Sequence, residues 1–360
     1  MSSASRAVAV VVGVAAVVGT SLWGRAVVTT PEREPVLSEN ERATGPDPLE
    51  LLYMKGPVLH RMDVSSGADE VLAELPAADV HAAPLSGRLA FVSDTGGGEQ
   101  DFEAAPELTV LEPETGRRLD LGPGVAPLWS PDGSRLAYLR PVEPRSCAGE
   151  SCSGAVEVVT YEVGSGRREI LLGPGRWSLL AWTGDRLLAA DQERLGSSFV
   201  VEQGSRRRLA VAPSSLWGAS PDGRWLVTVM RKGATFVELD EFSPLGRRVA
   251  VPLGAQRLAE GSWSGDSKRI AAVLLRVSGG IPRTRLAIMA PERPAPIPVA
   301  SSAGVIGRPL WSEDEASIAF AQVTGRGGRR LRAMWCPLEA SGGCRELLSW
   351  KDDVRLLELD

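Results

Sequence analysis

A short motif, made of a tryptophan, a serine and a proline–aspartate–glycine turn, recurs along this chain of 360 residues. The best copies are Trp129–Gly133 and Ser220–Gly223. In such a turn, proline fixes φ at the second position, aspartate can bond the backbone ahead of it, and glycine takes positive φ without a clash. A nearly continuous apolar run follows each copy, which is typical of a strand covered on both faces. The motif therefore predicts a tight hairpin between two buried strands.

The spacing of the motif predicts the architecture. Its tryptophans are on average about 45 residues apart, within the range of roughly 40–50 residues for one β-propeller blade. Packing between blades explains a repeated tryptophan better than carbohydrate stacking does. The residues to which we assign this structural, repeat-motif role are Trp129, Asp132, Trp182, Asp185, Trp217, Asp222, Trp263, Asp266, Trp311 and Asp314.

A second type of hairpin, built around a turn rich in glycine or serine, follows each motif, as at Leu108–Leu121. The tryptophan motif alone suggests six blades, whereas seven outer hairpins can be counted. Two strands per hairpin and two hairpins per period make a four-stranded blade. We therefore predict an all-β fold, a seven-bladed β-propeller of four-stranded blades, with a six-bladed ring as the alternative.

The two ends of the repeat predict how the ring closes. No tryptophan motif precedes the N-terminal blade, so that blade lacks one strand. At the other end of the chain, Val354–Leu359 is a β-like run with no blade of its own. We predict that this run supplies the innermost strand of the N-terminal blade, because such a join hides both sheet edges.

The N-terminal residues predict export. An apolar run, Ala7–Val18, follows Arg6, and Trp23 comes shortly before the next charge. We assign residues 1–28 to a signal anchor, or alternatively a cleaved signal peptide, because the positive and apolar regions are present without a clear cleavage site. Residues 29–48 are polar and proline-rich and form a linker. The propeller occupies 49–360, so we expect an extracytoplasmic location, in the periplasm or at the cell surface, with membrane attachment through the N-terminal helix.

Four cysteines occur as two close pairs, Cys147 with Cys152 and Cys336 with Cys344. An even count in an exported chain favours disulfides. Metal binding is the poorer alternative, since neither pair has a nearby histidine or a second closely spaced pair. We predict two local structural disulfides and no metal site.

The strings Trp129–Ala137 and Trp263–Ile270 resemble the WD40-like (PD40) repeats of the TolB propeller family, which also occur in the propellers of prolyl-oligopeptidase-type peptidases. The resemblance covers about residues 49–360 and implies the fold. It does not extend to a hydrolase domain, for which this chain has no room, nor to a separate α/β domain ahead of the propeller.

Charge and catalytic motifs narrow the function. The net charge of −5 comes from well-mixed residues, so we expect no nucleic acid partner. With only two histidines, a nucleophilic triad is poorly supplied, and we predict no catalytic residue and no cofactor. The favoured function is a non-enzymatic scaffold that binds a protein of the cell envelope. The alternative is a propeller hydrolase or lyase that acts on glycans or small molecules.

Overall fold

The computed structural model describes most of the chain from residue 50 onward. The described ranges are 50–64, 66–75, 77–83, 87–93, 106–143, 147–148, 151–152, 154–193, 197–202, 205–209, 216–230, 233–238, 246–278, 281–302, 304–324, 330–338, 343–350 and 354–359. The predicted anchor 1–28 and linker 29–48 lie outside them. Among the described residues, no helix is both long and apolar enough to cross a membrane.

The described residues form antiparallel sheets, which we number in chain order. Sheet I contains β1 (Glu50–Lys55), β2 (Val58–Asp63), β3 (Asp69–Glu74) and the C-terminal β31 (Val354–Leu359). Sheet II contains β4 (Ala77–Ala82), β5 (Leu89–Ser93), β6 (Glu107–Glu112) and β7 (Arg117–Pro123). Sheet III contains β8 (Val125–Trp129), β9 (Arg135–Pro141), β12 (Val156–Glu162) and β13 (Arg168–Gly175), and a small separate hairpin, β10 (Cys147–Ala148) and β11 (Ser151–Cys152), is inserted after β9.

The remaining sheets follow in the same manner. Sheet IV contains β14 (Trp177–Thr183), β15 (Arg186–Asp191), β16 (Ser197–Glu202) and β17 (Ser205–Leu209). Sheet V contains β18 (Leu216–Ala219), β19 (Trp225–Met230), β20 (Gly233–Glu238) and β21 (Arg248–Val251). Sheet VI contains β22 (Arg257–Trp263), β23 (Ile270–Ser278), β24 (Ile281–Met289) and β25 (Ile297–Ser302). Sheet VII contains β26 (Val305–Ile306), β27 (Leu310–Trp311), β28 (Ser317–Thr324), β29 (Arg330–Pro337) and β30 (Arg345–Trp350).

The prediction of seven blades with four strands each is wrong as stated, because six sheets have four strands and sheet VII has five. In the other sheets, one extra residue bulges from the first strand against its neighbour, as between Leu258 and Glu260 of β22. Sheet VII has the same one-residue excess between Ile306 and Leu310. Pro309 lies in this stretch and has no N–H for the ladder, so the first strand is divided into β26 and β27.

The hydrophobic core lies between neighbouring sheets. Buried clusters join each sheet to the next, and β28 of sheet VII packs through Ala319 against Leu51 and Tyr53 of β1. β31 pairs antiparallel with β1, and it contacts β4 on one side and β27 on the other. The predicted pairing of Val354–Leu359 with the N-terminal sheet is therefore present. A closed ring of radially arranged antiparallel sheets is a β-propeller.

Candidate functional site

The repeated motif forms a compact turn at the end of each first strand. In sheet III the buried Ser130 hydroxyl donates a hydrogen bond to the Asp132 carboxylate at 2.5 Å and accepts one from the Arg135 backbone N–H at 2.9 Å. Asp132 also accepts the backbone N–H of Ser134. Burial opposes the charge on Asp132, but these hydrogen bonds outweigh it and lower its pKa from the usual value. The serine and aspartate thus hold the turn together from inside.

Three further sheets repeat this geometry. In each, a buried serine hydroxyl donates to the aspartate two residues later and accepts a backbone N–H five residues later. For Asp266, burial again opposes the charge, but hydrogen bonds from Ser264 and Lys268 hold its pKa well below the usual range. The serine–aspartate pairs are Ser220 with Asp222, Ser264 with Asp266, and Ser312 with Asp314.

The structure corrects two repeat positions. Ala219 pairs with Leu226 as Trp129 pairs with Leu136, so Ala219 occupies the position that we had assigned to Trp217, two residues earlier. In sheet IV, Thr183 pairs with Arg186, which leaves only Gly184 and Asp185 in the turn. Asp185 therefore has no counterpart of the serine–aspartate bond. In sheet V the motif tryptophan is replaced by alanine, and in sheet IV the turn is shorter than in sheet III. A nearby tryptophan or aspartate then resembles the missing motif residue in the sequence.

The tryptophans of the motif connect neighbouring sheets. The indole N–H of Trp129 donates to the His81 carbonyl oxygen of sheet II at 3.0 Å, and that of Trp182 donates to Leu128 of sheet III at 2.8 Å. Trp311 donates in the same way to Ser262 of sheet VI at 3.1 Å. Trp263 differs, since its buried indole N–H has no hydrogen-bond partner among the residues that the structure describes. These side chains are occupied within the fold.

The turns of sheets V, VI and VII are also joined to one another. Ser267 and Glu315 stand where Ser130 and Ser220 turns have glycine, and both adopt positive φ, 63° and 58°. The Ser267 hydroxyl accepts the backbone N–H of Asp222 at 2.9 Å, and the Glu315 carboxylate accepts that of Asp266. This end of the propeller is therefore a hydrogen-bonded belt of turns.

The cysteines lie in two different hairpins. Cys336 and Cys344 form a disulfide that connects β29 to the start of β30 across the outer hairpin of sheet VII, as predicted. Cys147 and Cys152 face each other in the backbone register of the β10–β11 hairpin. Their side chains lie outside the described residues, so that second disulfide stays a prediction.

A cluster of ionisable groups lies in sheet I, elsewhere in the ring. In sheet I, Asp69 accepts a hydrogen bond from the Tyr53 hydroxyl at 3.0 Å and lies 3.1 Å from Nδ1 of the buried His60. Burial, followed by the Asp69 charge, raises the pKa of Tyr53. The rings of Tyr53 and His60 stack at 4.9 Å, so this cluster is part of the packing of the sheet.

Glu260 lies at the bulge of β22, next to the first strand of sheet VII. Solvent reaches its side chain, yet enough protein surrounds the carboxyl to raise its pKa, while Arg308 acts in the opposite direction. Among the described residues, no three histidine, cysteine, aspartate or glutamate side chains come together as a metal site. Glu260 therefore does not belong to a metal-binding group in this part of the chain.

The feature that stands out from the ring is the β23–β24 hairpin. Its neighbours end early, because Arg257 of β22 pairs with Leu275, and Ser302 of β25 pairs with Thr284. Beyond these pairs, Arg276–Ser278 and Ile281–Arg283 pair only with each other. At about 3.4 Å per residue, the hairpin extends about 10 Å past the rest of sheet VI.

The projecting hairpin carries a cluster of exposed arginines. Arg276 pairs directly with Arg283 across the two strands, and Arg285 follows on the same face as Arg283. All three are exposed, and within the described part of the chain none has an ion pair, side-chain hydrogen bond or ring contact. On the opposite face, Val277 is 63% exposed. We had not predicted this site, although the paired glycines Gly279 and Gly280 between two β-like runs were a hairpin signal.

Like charges placed directly opposite each other in a sheet are destabilising. The Arg276–Arg283 pair therefore has a cost that packing within the hairpin does not offset, since both side chains face solvent. Such an arrangement, on a segment that reaches beyond the ring, defines the candidate site as a surface for binding an anionic group.

Together, the ring of sheets and this exposed hairpin define the class of the molecule, a β-propeller with a protruding, arginine-bearing hairpin. No protein-family model matches the sequence, and no curated protein matches it. Solved structures do match. The propeller domain of the Trilobed protease from Pyrococcus furiosus is 14% identical with a TM-score of 0.57, over 81% of this chain and 86% of that one.

Two further matches are to proteins that are longer than this chain. Pyrococcus horikoshii acylaminoacyl peptidase is 12% identical with a TM-score of 0.57, over 88% of this chain and 52% of its own. TolB from Acinetobacter baumannii is 16% identical with a TM-score of 0.44, over 83% of this chain and 65% of its own. The chain thus spans about half of the peptidase and less than two thirds of TolB. The two matches with a TM-score of 0.57 confirm the expected likeness to known propellers at the level of the fold alone.

Proposed function

We propose that this chain is a non-enzymatic, extracytoplasmic β-propeller that acts as a scaffold and binds a protein partner in the cell envelope. The observation that carries the proposal is the β23–β24 hairpin, which reaches past both neighbouring strands and presents Arg276 and Arg283 to solvent. Loops and hairpins that project from a rigid scaffold are the usual binding elements of such folds. The Cys336–Cys344 disulfide supports an oxidising compartment.

The direction of the chain adds support for this arrangement. β1 and β23 are both the second strands of their sheets, so they run in the same direction across the ring. The predicted linker 29–48 precedes β1, which starts at Glu50, whereas the projecting hairpin lies beyond the end of β23. An anchor in residues 1–28 would leave the hairpin on the far side of the propeller, available to a partner.

The test is site-specific photo-cross-linking of the full chain in envelope membranes from its own cells. A photo-reactive residue replaces Val277 on the hairpin or, as the control, Val71 on the outer strand β3, since both side chains are 63% exposed. We expect one discrete cross-linked protein from position 277 and none from position 71. Identical products from both positions, or none from either, would contradict the proposal.

The hydrolase or lyase alternative has one specific observation in its favour, the raised pKa of Glu260 beside Arg308. A carboxyl group with a raised pKa holds its proton to a higher pH than an ordinary glutamate does, which is a property that a general acid needs. Glycoside hydrolysis ordinarily requires a second carboxylate across the bond that is broken. Glu260 is thus the residue on which an enzymatic function would depend, and its replacement by glutamine is the variant to compare in any activity assay.

A further inference from the structure

We propose that the projecting hairpin binds an acidic, extended polypeptide segment, which pairs with the free edge of β23 at Arg276–Ser278 and places its carboxylates against Arg276, Arg283 and Arg285. This inference rests on the proposed protein-binding function and names the chemistry of the partner. It assigns the arginines to specificity and the strand edge to backbone recognition.

The arginines determine the charge of the partner. Arg276 and Arg283 are a directly paired couple, and Arg285 continues the same face two residues along β24. A guanidinium group presents a planar fork of N–H donors that matches a carboxylate, and the resulting bidentate pair is stronger than a neutral hydrogen bond. Carboxylates inserted along this face would remove the repulsion between the paired arginines.

The strand edges determine that the partner is a polypeptide. β22 begins opposite Leu275, so the backbone of Arg276–Ser278 has no neighbour on that side. The other edge of the hairpin contains Pro282, which lacks an N–H and blunts that edge against pairing. An added strand gains main-chain hydrogen bonds only if it is itself a peptide, which neither a lipid headgroup nor a polysaccharide can provide.

The register gives the bound segment a pattern. Successive side chains of an added strand point to opposite faces. Acidic residues at every second position would therefore meet the arginine face, while the intervening residues would lie on the face of the exposed Val277. The hairpin thus favours an alternating acidic and apolar sequence over a uniformly acidic one.

A membrane surface is the competing occupant of a basic patch. The position of Glu50 argues against membrane binding by the hairpin. Glu50, which follows the predicted linker, lies at the end of the sheets opposite to the hairpin tip. Vesicles are nevertheless included in the test so that the two classes of partner can be separated.

The experiment measures binding of the full chain to a fluorescent heptapeptide of alternating glutamate and valine by anisotropy. The wild type is compared with two double variants, Arg276→Glu with Arg283→Glu on the hairpin and Arg247→Glu with Arg293→Glu as the control. The control arginines are also exposed, and their side chains are also unpaired among the described residues. We expect the hairpin variant to bind about tenfold more weakly or worse, and the control to bind as the wild type does.

Two further arms test the backbone and the alternative occupant. A heptapeptide with the same side chains but with a methyl group on every backbone nitrogen should lose binding, because neither of its edges can donate an N–H to the edge of β23. Vesicles of phosphatidylglycerol should bind no better than vesicles of phosphatidylcholine. Unchanged binding of the N-methylated peptide, equal loss in both double variants, or hairpin-dependent binding to anionic vesicles would overturn the inference.

The outcome is separable from that of the proposed function. A cross-link specific to position 277, combined with no binding of the alternating peptide, would sustain protein binding and refute the acidic strand. Circular dichroism of each variant establishes that the propeller is folded, so that loss of binding reports on the hairpin.

Discussion

Ser267 and Glu315 occupy a turn position that favours glycine, since L-residues pay a penalty for positive φ. Each side chain returns a hydrogen bond to the turn of the preceding sheet, at Asp222 and Asp266. In the turns around Gly133 and Gly223, glycine takes the same conformation without such a bond. At these two positions the repeat has a strained backbone conformation and, in return, a hydrogen bond between neighbouring sheets.

Replacement of Ser267 separates these two effects. Ser267→Ala loses the bond to the Asp222 N–H and keeps the positive φ, whereas Ser267→Gly loses the bond and relieves the backbone. We expect both variants to be less stable than the wild type, with alanine below glycine by about 1 kcal/mol. Urea unfolding measures the order, and an alanine variant as stable as the glycine variant would contradict it.

Glu260 predicts a pH dependence. Its pKa in the folded chain is raised, so the folded state binds the proton more tightly than the unfolded state does. The contribution of this group to stability is therefore complete below its unfolded pKa and falls as the pH rises through the folded pKa. We expect Glu260→Gln to gain thermal stability relative to the wild type between pH 4 and pH 7.

The control for that comparison is Glu292→Gln, whose side chain is exposed in the turn after β24. Its melting temperature should follow that of the wild type across the same range. If the difference between Glu260→Gln and the wild type does not change with pH, the carboxyl of Glu260 is not desolvated in the folded chain.

At the scale of single elements, the outer hairpins differ in how they are held together. In sheet VII the β29–β30 hairpin is covalently closed by Cys336 and Cys344, which are 8 residues apart. In sheets II and III, exposed arginines instead connect the outer strand to the neighbouring sheet, as where Arg118 donates to the Glu74 carbonyl oxygen at 3.1 Å. The stability of the β29–β30 connection thus depends on redox conditions.

Removal of this disulfide should destabilise the chain moderately. A loop of this length gives an unfolded-state entropy effect of about 2.5 kcal/mol, so we expect Cys336→Ser with Cys344→Ser to lose about that much. The measurement is guanidinium unfolding without reductant. The Cys147→Ser, Cys152→Ser variant is compared in parallel, and a wild type that keeps its full stability after complete reduction would contradict the expectation.

The whole molecule is closed by its two ends. β31 pairs with β1 and also packs its partly buried Leu356 and buried Leu357 into two different core clusters. Since the clusters lie between sheets, the loss of one strand opens the core on both sides. Closure by the C-terminal strand is therefore a property of the ring, and no single sheet contains it.

Deletion of residues 353–360 tests this closure. We expect the truncated chain to lose at least about 3 kcal/mol, as much as the truncation of one buried leucine costs, and to unfold at a lower temperature. A synthetic peptide of residues 353–360 in excess should restore part of the loss by binding the folded state. An unchanged melting temperature after truncation would refute the role of β31.

Much of the fold could be predicted because the same short-range chemistry recurs. The Ser-Pro-Asp-Gly turn needs only a proline φ, an aspartate acceptor and a glycine, all of which are local properties. Ala219 directly precedes Ser220 in the motif position, whereas Trp217 is the residue that bulges between Leu216 and Gly218 of β18, and a bulge depends on the neighbouring strand. The division of the first strand of sheet VII depends similarly on where Pro309 falls relative to β28.

The candidate site could not be predicted from the sequence, for a related reason. Arg276, Arg283 and Arg285 are ordinary strand-end residues until the pairing sets two of them face to face. Their exposure depends on where β22 and β25 end, which is a matter of neighbouring strands. Clusters of arginine alone, such as Arg206–Arg208, give no such indication.

By itself, the sequence determined that the chain repeats a strand–turn–strand unit, that the repeated sheets are buried on both faces, and that its last strand belongs to its first sheet. Those properties follow from local turn chemistry and hydrophobic pattern. Only the tertiary structure determined the strand count of each sheet, the belt of connected turns and the free edge of β23. These depend on register and strand length, which are set by contacts between residues far apart in the chain.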